Sequence, residues 1–411
     1  MGTNSDHYES EDPLHKGALG GLRVLDLGRF IAGPFCGMIL GDLGADVVHI
    51  ERPSCGDDSR LLGPGFAPGE SYYYLVFNRN KRSLTLNLRT ASGQDVLRDL
   101  VSNADVLIEN FRAGTMEKMG CGWTELSAIN PRLIMARASG FGQDGPYAER
   151  ICTDTIALAM SGLMDLTGDP NGPPTLWGTF AVDYVTGLYA LIGILAALQL
   201  RNSTGKGQVV DVSLLDSAMS LLLTAIIEYG VSGNVLTRIG NVDRFAAPCD
   251  TFRTADGRWV QILVTMDQHF TRFAAMIGRE DLISDERYKT LESRVQHRVE
   301  LEEIVREWVG RFPLEQVIST MAEASILCGP VATVPDVFEN PQVRYRGQIV
   351  DIAHPTHGTF PMQGITPKLG ETPGSIRRPP PLLGADTDEV LKEWLNYGTQ
   401  DIGRLRAEHV I

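Results

Sequence analysis

The sequence predicts an α/β protein with a mostly parallel sheet and a second, smaller α+β domain. Short apolar runs alternate with helical segments through roughly the first 140 residues, the spacing of βαβ units. The chain has 411 residues, more than the roughly 250–300 that one hydrophobic core supports. Its texture changes near residue 230, where a hairpin signal and then charged helices replace the alternation.

The elements follow in order. "LRVLDLG" (22–28) is a first strand, "FCGMILGDLGA" (35–45) a helix with small residues for close packing, and "DVVHIER" (46–52) a second strand. "SLTLNL" (83–88) is a third strand, "GQDVLRDLVSNA" (93–104) an amphipathic helix, "DVLIENF" (105–111) a fourth strand and "LIMARASGFG" (133–142) a fifth. Right-handed crossovers make the strand C-termini the ligand edge. "GQVVDVSLLDSAMSLLLTAIIEYG" (207–230) reads as a strand running into one long apolar helix. "CDTFRTADGRWVQILV" (249–264) is a hairpin with Asp256-Gly257 at the turn, and charged helices run from Gln268 to about Ala324. The connector "RRPPPLLG" (377–384) precedes a last helix over 386–396.

Composition narrows the function. Apolar residues make 43% and charged residues 21%, with a net charge of −14. Such a chain is a poor general binder of nucleic acid or of an anionic membrane, so an anionic ligand needs a local basic pocket. The six cysteines form no CxxC and no His/Cys cluster, which argues against a zinc site or a disulfide framework and for a cytoplasmic enzyme. Residues 1–18 read as a loose polar tail with no signal-peptide core. The apolar stretch around Val185–Leu200 falls short of the roughly 20 residues of a membrane span and reads as a buried helix.

Several junctions carry chemistry. "GRFIAGP" (28–34) sits like a nucleotide-binding turn, yet G-x-G-x-x-G is missing and no P-loop motif occurs, so neither a nicotinamide nor a flavin is expected. "FNRNKRS" (77–83) gathers Arg79, Lys81 and Arg82; a solvated turn is the favoured reading over a phosphate contact. In "ENFRAGTMEKMG" (109–120), Asn110, Phe111 and Arg112 lie at the ligand edge. There Phe111 could stack on a base and Lys118 reach a phosphate, or the segment is only a helix start with an aromatic staple. Asp183 heads the long apolar segment "GTFAVDYVTGLYALIGILAALQ" (178–199). It is either a helix N-cap or a nucleophile kept ionised by helix N–H groups, and local pattern does not separate the two.

The chain resembles the class III CoA-transferases, which include formyl-CoA transferase and carnitine CoA-transferase and are related to α-methylacyl-CoA racemase. The resemblance covers about residues 19–411. It is carried by "GLRVLDLGRFIAGPFCGMILGDLGADVVHIERP", "FNRNKRSLTLNL", "ADVLIENFRAGTMEKMG", "SGFGQDGPYAER", "GLYALIGILAALQLRNSTGKGQVVDVSLLDS", "LCGPV" and "RPPPLLGADTDEVLKE". It implies a Rossmann-like large domain built from both chain ends, here 19–225 and 331–411, with a small domain at 226–330, and an interlocked, ring-like homodimer. It implies that Asp183 is the nucleophile. It places coenzyme A contacts on Ile31, Ala32, Arg52, Leu86, Asn87, Leu88, Arg89, Asn110, Phe111, Arg112 and Lys118, and active-site territory around Arg29, Thr153 and Asp154. Coenzyme A enters as substrate, with no metal.

Departures from the family pattern refine the activity. The racemase branch has a His where this chain has Thr153, a poor base at neutral pH, so transfer is favoured over racemisation. The glycine run of the formyl-CoA branch is missing from Ile239–Phe252, which argues against oxalate and formate. Relatives with the shorter segment resemble enzymes using succinyl-CoA and a C4–C6 dicarboxylate, usually with His in place of Asp243. Arg244 is either a partner for the acceptor's distal carboxylate or a surface arginine. The expected function is CoA transfer from an acyl-CoA such as succinyl-CoA to a dicarboxylate through aspartyl anhydride and aspartyl-CoA thioester intermediates. The alternatives are an acyl-CoA racemase or epimerase, CoA transfer within one dicarboxylate, and a non-catalytic acyl-CoA binder.

Overall fold

Six strands form one parallel sheet in the computed structural model, which describes residues 17–411. In chain order the first elements are β1 (Arg23–Asp26), α1 (Ala32–Asp42), β2 (Asp46–Glu51), α2 (Tyr72–Phe77), β3 (Lys81–Thr85) and α3 (Ala91–Ser102). Then come β4 (Val106–Glu109), α4 (Thr115–Lys118), β5 (Ile134–Ser139), α5 (Asp154–Met160), α6 (Ala181–Thr204), β6 (Val209–Ser213) and α7 (Leu214–Met219). The sheet order is β3-β2-β1-β4-β5-β6 with every pair parallel. This is the doubly wound order, and its switch point lies between β1 and β4.

Strands covered on both faces must be apolar on both faces. Leu25, Val48, Leu84 and Leu107 point to one layer with Val96, Leu97 and Leu100 of α3. Val24, Val47, Val106 and Ile134 point to the other, with Ile39 and Leu40 of α1 and Ala190 and Ile194 of α6.

The described chain divides into two compact units. The smaller takes residues 162–177 and 224–341. It holds α8 (Ala225–Ser232), β7 (Cys249–Arg253), β8 (Trp259–Leu263), α9 (Asp267–Met276), α10 (Arg298–Val309), α11 (Leu314–Glu323) and β9 (Leu327–Pro330). Its sheet is antiparallel in the order β9-β8-β7. Gly257 takes a φ of +80° at the hairpin turn, the conformation for which glycine is suited. Phe252, Ile262, Phe273, Leu301 and Val305 build its core.

The chain then returns to the larger unit with β10 (Ile349–His354), β11 (Gly358–Gln363), α12 (Thr387–Leu395) and α13 (Thr399–Ala407). Leu391, Trp394, Ile402 and Leu405 of the last two helices pack in the α3 layer. The tail reading falls almost wholly on residues 1–16, outside the described residues.

Three expectations need correction. The run after β6 is not one long helix, because α7 ends at Met219 and Leu223, at a φ of 50°, turns the chain before α8. The long apolar helix is only partly buried. α6 runs 24 residues, and by length and composition it is the one helix among the described residues able to cross a membrane; 39% of its apolar window is buried. Its inner face joins the sheet core, while Leu188, Tyr189, Ile192 and Leu195 are exposed.

The cations of "FNRNKRS" form neither a solvated turn nor a phosphate contact, since Arg79, Lys81 and Arg82 are all buried and paired inside the unit. Arg79 meets Asp42 at 2.7 Å and Arg82 meets Glu393 at 2.6 Å. Lys81 Nζ donates at 2.8 Å to each of Asp26, the Pro34 carbonyl and Asn78. Their counter-charges come from distant parts of the chain, so the local run reads as surface when it is interior. Removing one member of the Lys81–Asp26 pair would strand a buried charge, a cost of about 3–5 kcal/mol.

Candidate active site

Asp183 is the third residue of α6, so it is not the N-cap. The residue before the helix, Phe180, supplies no side-chain cap. A helix start leaves N–H groups without intrahelical partners. Here Asp154, 29 residues upstream and first in α5, takes two of them: its Oδ2 accepts from the Val182 N–H at 2.8 Å and the Asp183 N–H at 3.2 Å.

The capping role expected of Asp183 therefore belongs to Asp154, and the donors expected to keep Asp183 ionised are already used. Among the described residues, none donates a hydrogen bond to the Asp183 carboxylate. Burial, and then the charge of Asp154, push its pKa up to about 7. Asp154 is itself raised by burial, against the two N–H groups that favour its ionised form.

Aromatic rings surround this turn. Phe35 and Tyr184 meet edge to face at 4.8 Å, Phe77 lies 5.6 Å from Tyr184, and Tyr73 lies 5.9 Å from Phe77. Burial and the Asp183 charge keep the Tyr73 hydroxyl protonated well above its usual range. Helices α1 and α6 cross closely at Gly187, where a Cβ would stand 2.8 Å from the Ala32 carbonyl oxygen and 3.0 Å from the Phe35 ring. That contact brings the start of α1 beside the turn that carries Asp183.

A cavity of about 790 Å³ opens at the C-terminal ends of β1 to β4, spanning the switch point. Arg52, Phe111 and Arg112 line it, as does the run Leu86, Asn87, Leu88 and Arg89. Arg29 also lines it, with its guanidinium 5.1 Å from the Phe111 ring. Arg29 and Arg52 share Asp58. Burial and the neighbouring Arg52 lower the pKa of Arg29.

Asn110 sits behind this wall, donating to the Arg29 carbonyl at 2.7 Å and accepting from the Arg29 N–H at 2.8 Å. The next residue, Phe30, has a φ of 62°, a left-handed backbone that is strained for phenylalanine, and its N–H points to the Asp57 carboxylate at 3.3 Å. Ile31 and Ala32 are buried between this loop and α6. Lys118 is exposed at the end of α4, Thr153 is exposed just ahead of Asp154, and Arg244 belongs to the smaller unit.

Sequence reasoning missed Cys55, Thr115, Met119 and His409 on the cavity wall. It also missed Tyr73 near Asp183. Only "YYYLVFN", an unusually aromatic run, hinted at Tyr73, and nothing local marks His409.

The family model for CoA-transferase family III matches residues 19–387. The chain belongs to that family. It is 42% identical over 396 residues to the succinyl-CoA–L-malate CoA-transferase beta subunit of Chloroflexus aurantiacus, covering 96% of this chain and 98% of that one. It is 36% identical over 393 residues to human succinyl-CoA:glutarate CoA-transferase, covering 96% and 90%. A CaiB/BaiF family protein from Brucella suis has a crystal structure that superposes with a TM-score of 0.83 at 36% identity, covering 92% of this chain and all of that one.

The raised pKa of Asp183 predicts a stability effect. Its folded pKa lies above the unfolded value of 3.8, so the ionised form strains the fold at high pH. The Asp183→Asn variant should unfold at a higher temperature than wild type at pH 8, and the gain should shrink as pH falls through 7 toward 4. A difference that stays constant across this range would contradict the assignment.

Proposed function

We propose that the chain moves CoA from succinyl-CoA to a C4–C6 dicarboxylic acid, with Asp183 as the nucleophile. The observation that carries this reading is a half-buried carboxylate with no hydrogen-bond donor and a pKa near 7. Such a group is part ionised at neutral pH and poorly solvated when it is, which favours attack on a carbonyl. The family membership and the relatives named for succinyl-CoA support the donor, and their acceptors, malate and glutarate, support the dicarboxylate.

The chemistry balances in four steps. Asp183 attacks the succinyl-CoA carbonyl and expels CoA thiolate, leaving a mixed anhydride. The thiolate attacks the aspartyl carbonyl and releases succinate, giving aspartyl-CoA thioester. The acceptor carboxylate attacks that thioester, expels the thiolate and forms a second anhydride. The thiolate attacks the acceptor's carbonyl, releasing the new CoA thioester and restoring Asp183. A hydroxyl or thiol nucleophile would stop at an ester or thioester. The protonated Tyr73 hydroxyl is the donor proposed for the oxyanions.

In this reading the cavity holds coenzyme A. Arg52, Arg89 and Arg112 take phosphates, Lys118 reaches one from the cavity rim, and Phe111 stacks on the base. Asn110 holds the Arg29 loop in shape, and Ile31 and Ala32 wall the path toward Asp183. Thr153 stands where racemisation would need a second base, which supports transfer. Six free cysteines suit a reducing compartment such as the cytoplasm.

We also propose a homodimer of the interlocked type. Leu188, Tyr189, Ile192 and Leu195 on α6, with Ile156 and Met160 on α5, expose an apolar face suited to a second copy. Sedimentation should report the mass of two chains at micromolar concentration. One chain's mass would remove this part.

Activity tests the nucleophile. The Asp183→Asn variant should lose CoA transfer between succinyl-CoA and L-malate or glutarate by at least about a thousandfold. In wild type, kcat/KM should rise with pH through about 7, because the ionised form attacks. The Asp154→Asn variant keeps an acceptor for both N–H groups but removes the neighbouring charge, so this midpoint should move to lower pH. Transfer at wild-type speed in Asp183→Asn would overturn the proposal.

A further inference from the structure

The cavity at the C-terminal ends of β1 to β4 takes one part of its wall from the end of the chain, at His409. Helix α13 stops at Ala407 and is capped by Glu408. Beyond the cap, the His409 N–H donates to the Arg406 carbonyl at 3.1 Å and the Val410 N–H to the Leu405 carbonyl at 2.9 Å. This pair of bonds is the Schellman motif, in which the residue after the cap has a left-handed backbone and is usually glycine. Here that residue is His409, with a φ of 55°.

The turn is pinned from two directions. Val410 and Leu405 are both buried in the α3 layer, the apolar pair that accompanies the motif. The Asn87 N–H donates to the Val410 carbonyl at 2.7 Å, and the Asn87 side chain accepts from the Arg89 N–H at 3.2 Å. Asn87 thereby ties the last turn to the run after β3. His409 and Arg89 are exposed, and both line the cavity.

Charge is unevenly spread around the cavity. The carboxylates that line it, Glu51 and Asp57, lie at the end of β2 and in the loop that follows. Arg29 and Arg52 share Asp58. Arg89 and His409 make no side-chain hydrogen bond or ion pair among the described residues, and no carboxylate lines the cavity along Leu86–Arg89. This stretch of wall suits the most highly charged anion of a ligand. A phosphate monoester carries a charge of about −1.5 to −2 near pH 7, more than either phosphate of a pyrophosphate bridge.

We propose that His409 and Arg89 hold the 3′-phosphate of coenzyme A, the imidazole and the guanidinium each donating to it, so that the last turn of the chain is part of the coenzyme site. Arg89 brings a permanent charge and a fork of donors. His409 adds a donor where glycine would leave the wall bare, and that contact is the reason for keeping a strained histidine there. The assignment rests on the reading of this cavity as the coenzyme A site.

Calorimetry on the full chain, with coenzyme A and with dephospho-coenzyme A, tests it. Wild type should bind coenzyme A at least about tenfold more tightly than the ligand without the phosphate. Glycine fits the left-handed backbone, so His409→Gly should melt no lower than wild type. It should nevertheless weaken coenzyme A about tenfold and leave dephospho-coenzyme A unchanged. Arg89→Gln should act on the same ligand in the same direction.

An equal loss for both ligands in His409→Gly, or a wild type that does not distinguish them, would overturn the assignment. A preference for coenzyme A that survives undiminished in His409→Gly would also overturn it and leave the coenzyme reading of the cavity standing. A wild type that binds neither ligand would refute that reading and the assignment together. The expected pattern in a chain that transfers no CoA would keep His409 in the site and refute the transfer reading alone.

Discussion

The cap that Asp154 places on the start of α6 is the contact on which the proposed chemistry depends. A helix start offers N–H donors and a positive dipole end, and together they would lower the pKa of a carboxylate in the first turn. Asp154 intercepts the Val182 and Asp183 donors from another helix. It satisfies the helix and adds a second negative charge beside Asp183. The result is a carboxylate held near neutrality by burial and repulsion rather than pinned by hydrogen bonds. The same group, accepting those N–H donors itself, would have a lower pKa.

The sheet order opens the cavity proposed for coenzyme A, and α1, which follows its β1 loop, packs on the helix that carries Asp183. Strand order reverses between β1 and β4, and the loops beyond their C-termini open a crevice there. The loop after β1 is fixed from three sides. Asn110 grips the Arg29 backbone, Asp57 takes the strained Phe30 N–H, and α1 packs on Gly187 of α6. Beneath it lies a fully buried charge network. Asp26 accepts from Lys81 and from the Gly28 N–H, and His49 contacts both Asp26 and Asp57. Such a network rigidifies the loop because every alternative position leaves a charge unpaired.

Much of this was legible in the sequence. The strands of the parallel sheet read clearly because most of them are short, largely apolar runs, as burial on both faces requires. Asp183 was visible as a carboxylate at the head of an apolar helix, but the local pattern fitted a cap as well as a nucleophile, and only the family resemblance chose between them. Its cap was not legible: Asp154 lies 29 residues away, and only the fold brings them together. The "FNRNKRS" cations misled for the same reason, since their counter-charges at Asp42, Asp26 and Glu393 come from remote segments. Leu223 carries a backbone angle that no propensity for leucine would suggest.

As the proposed nucleophile, the Asp183 side chain is covalently modified during turnover. Wild-type chain incubated with succinyl-CoA and no acceptor, then treated with borohydride, is digested and read by mass spectrometry. A reduced side chain at position 183 is expected, with free succinate in the supernatant. A peptide unmodified at Asp183, in a preparation that transfers CoA when acceptor is added, would contradict it.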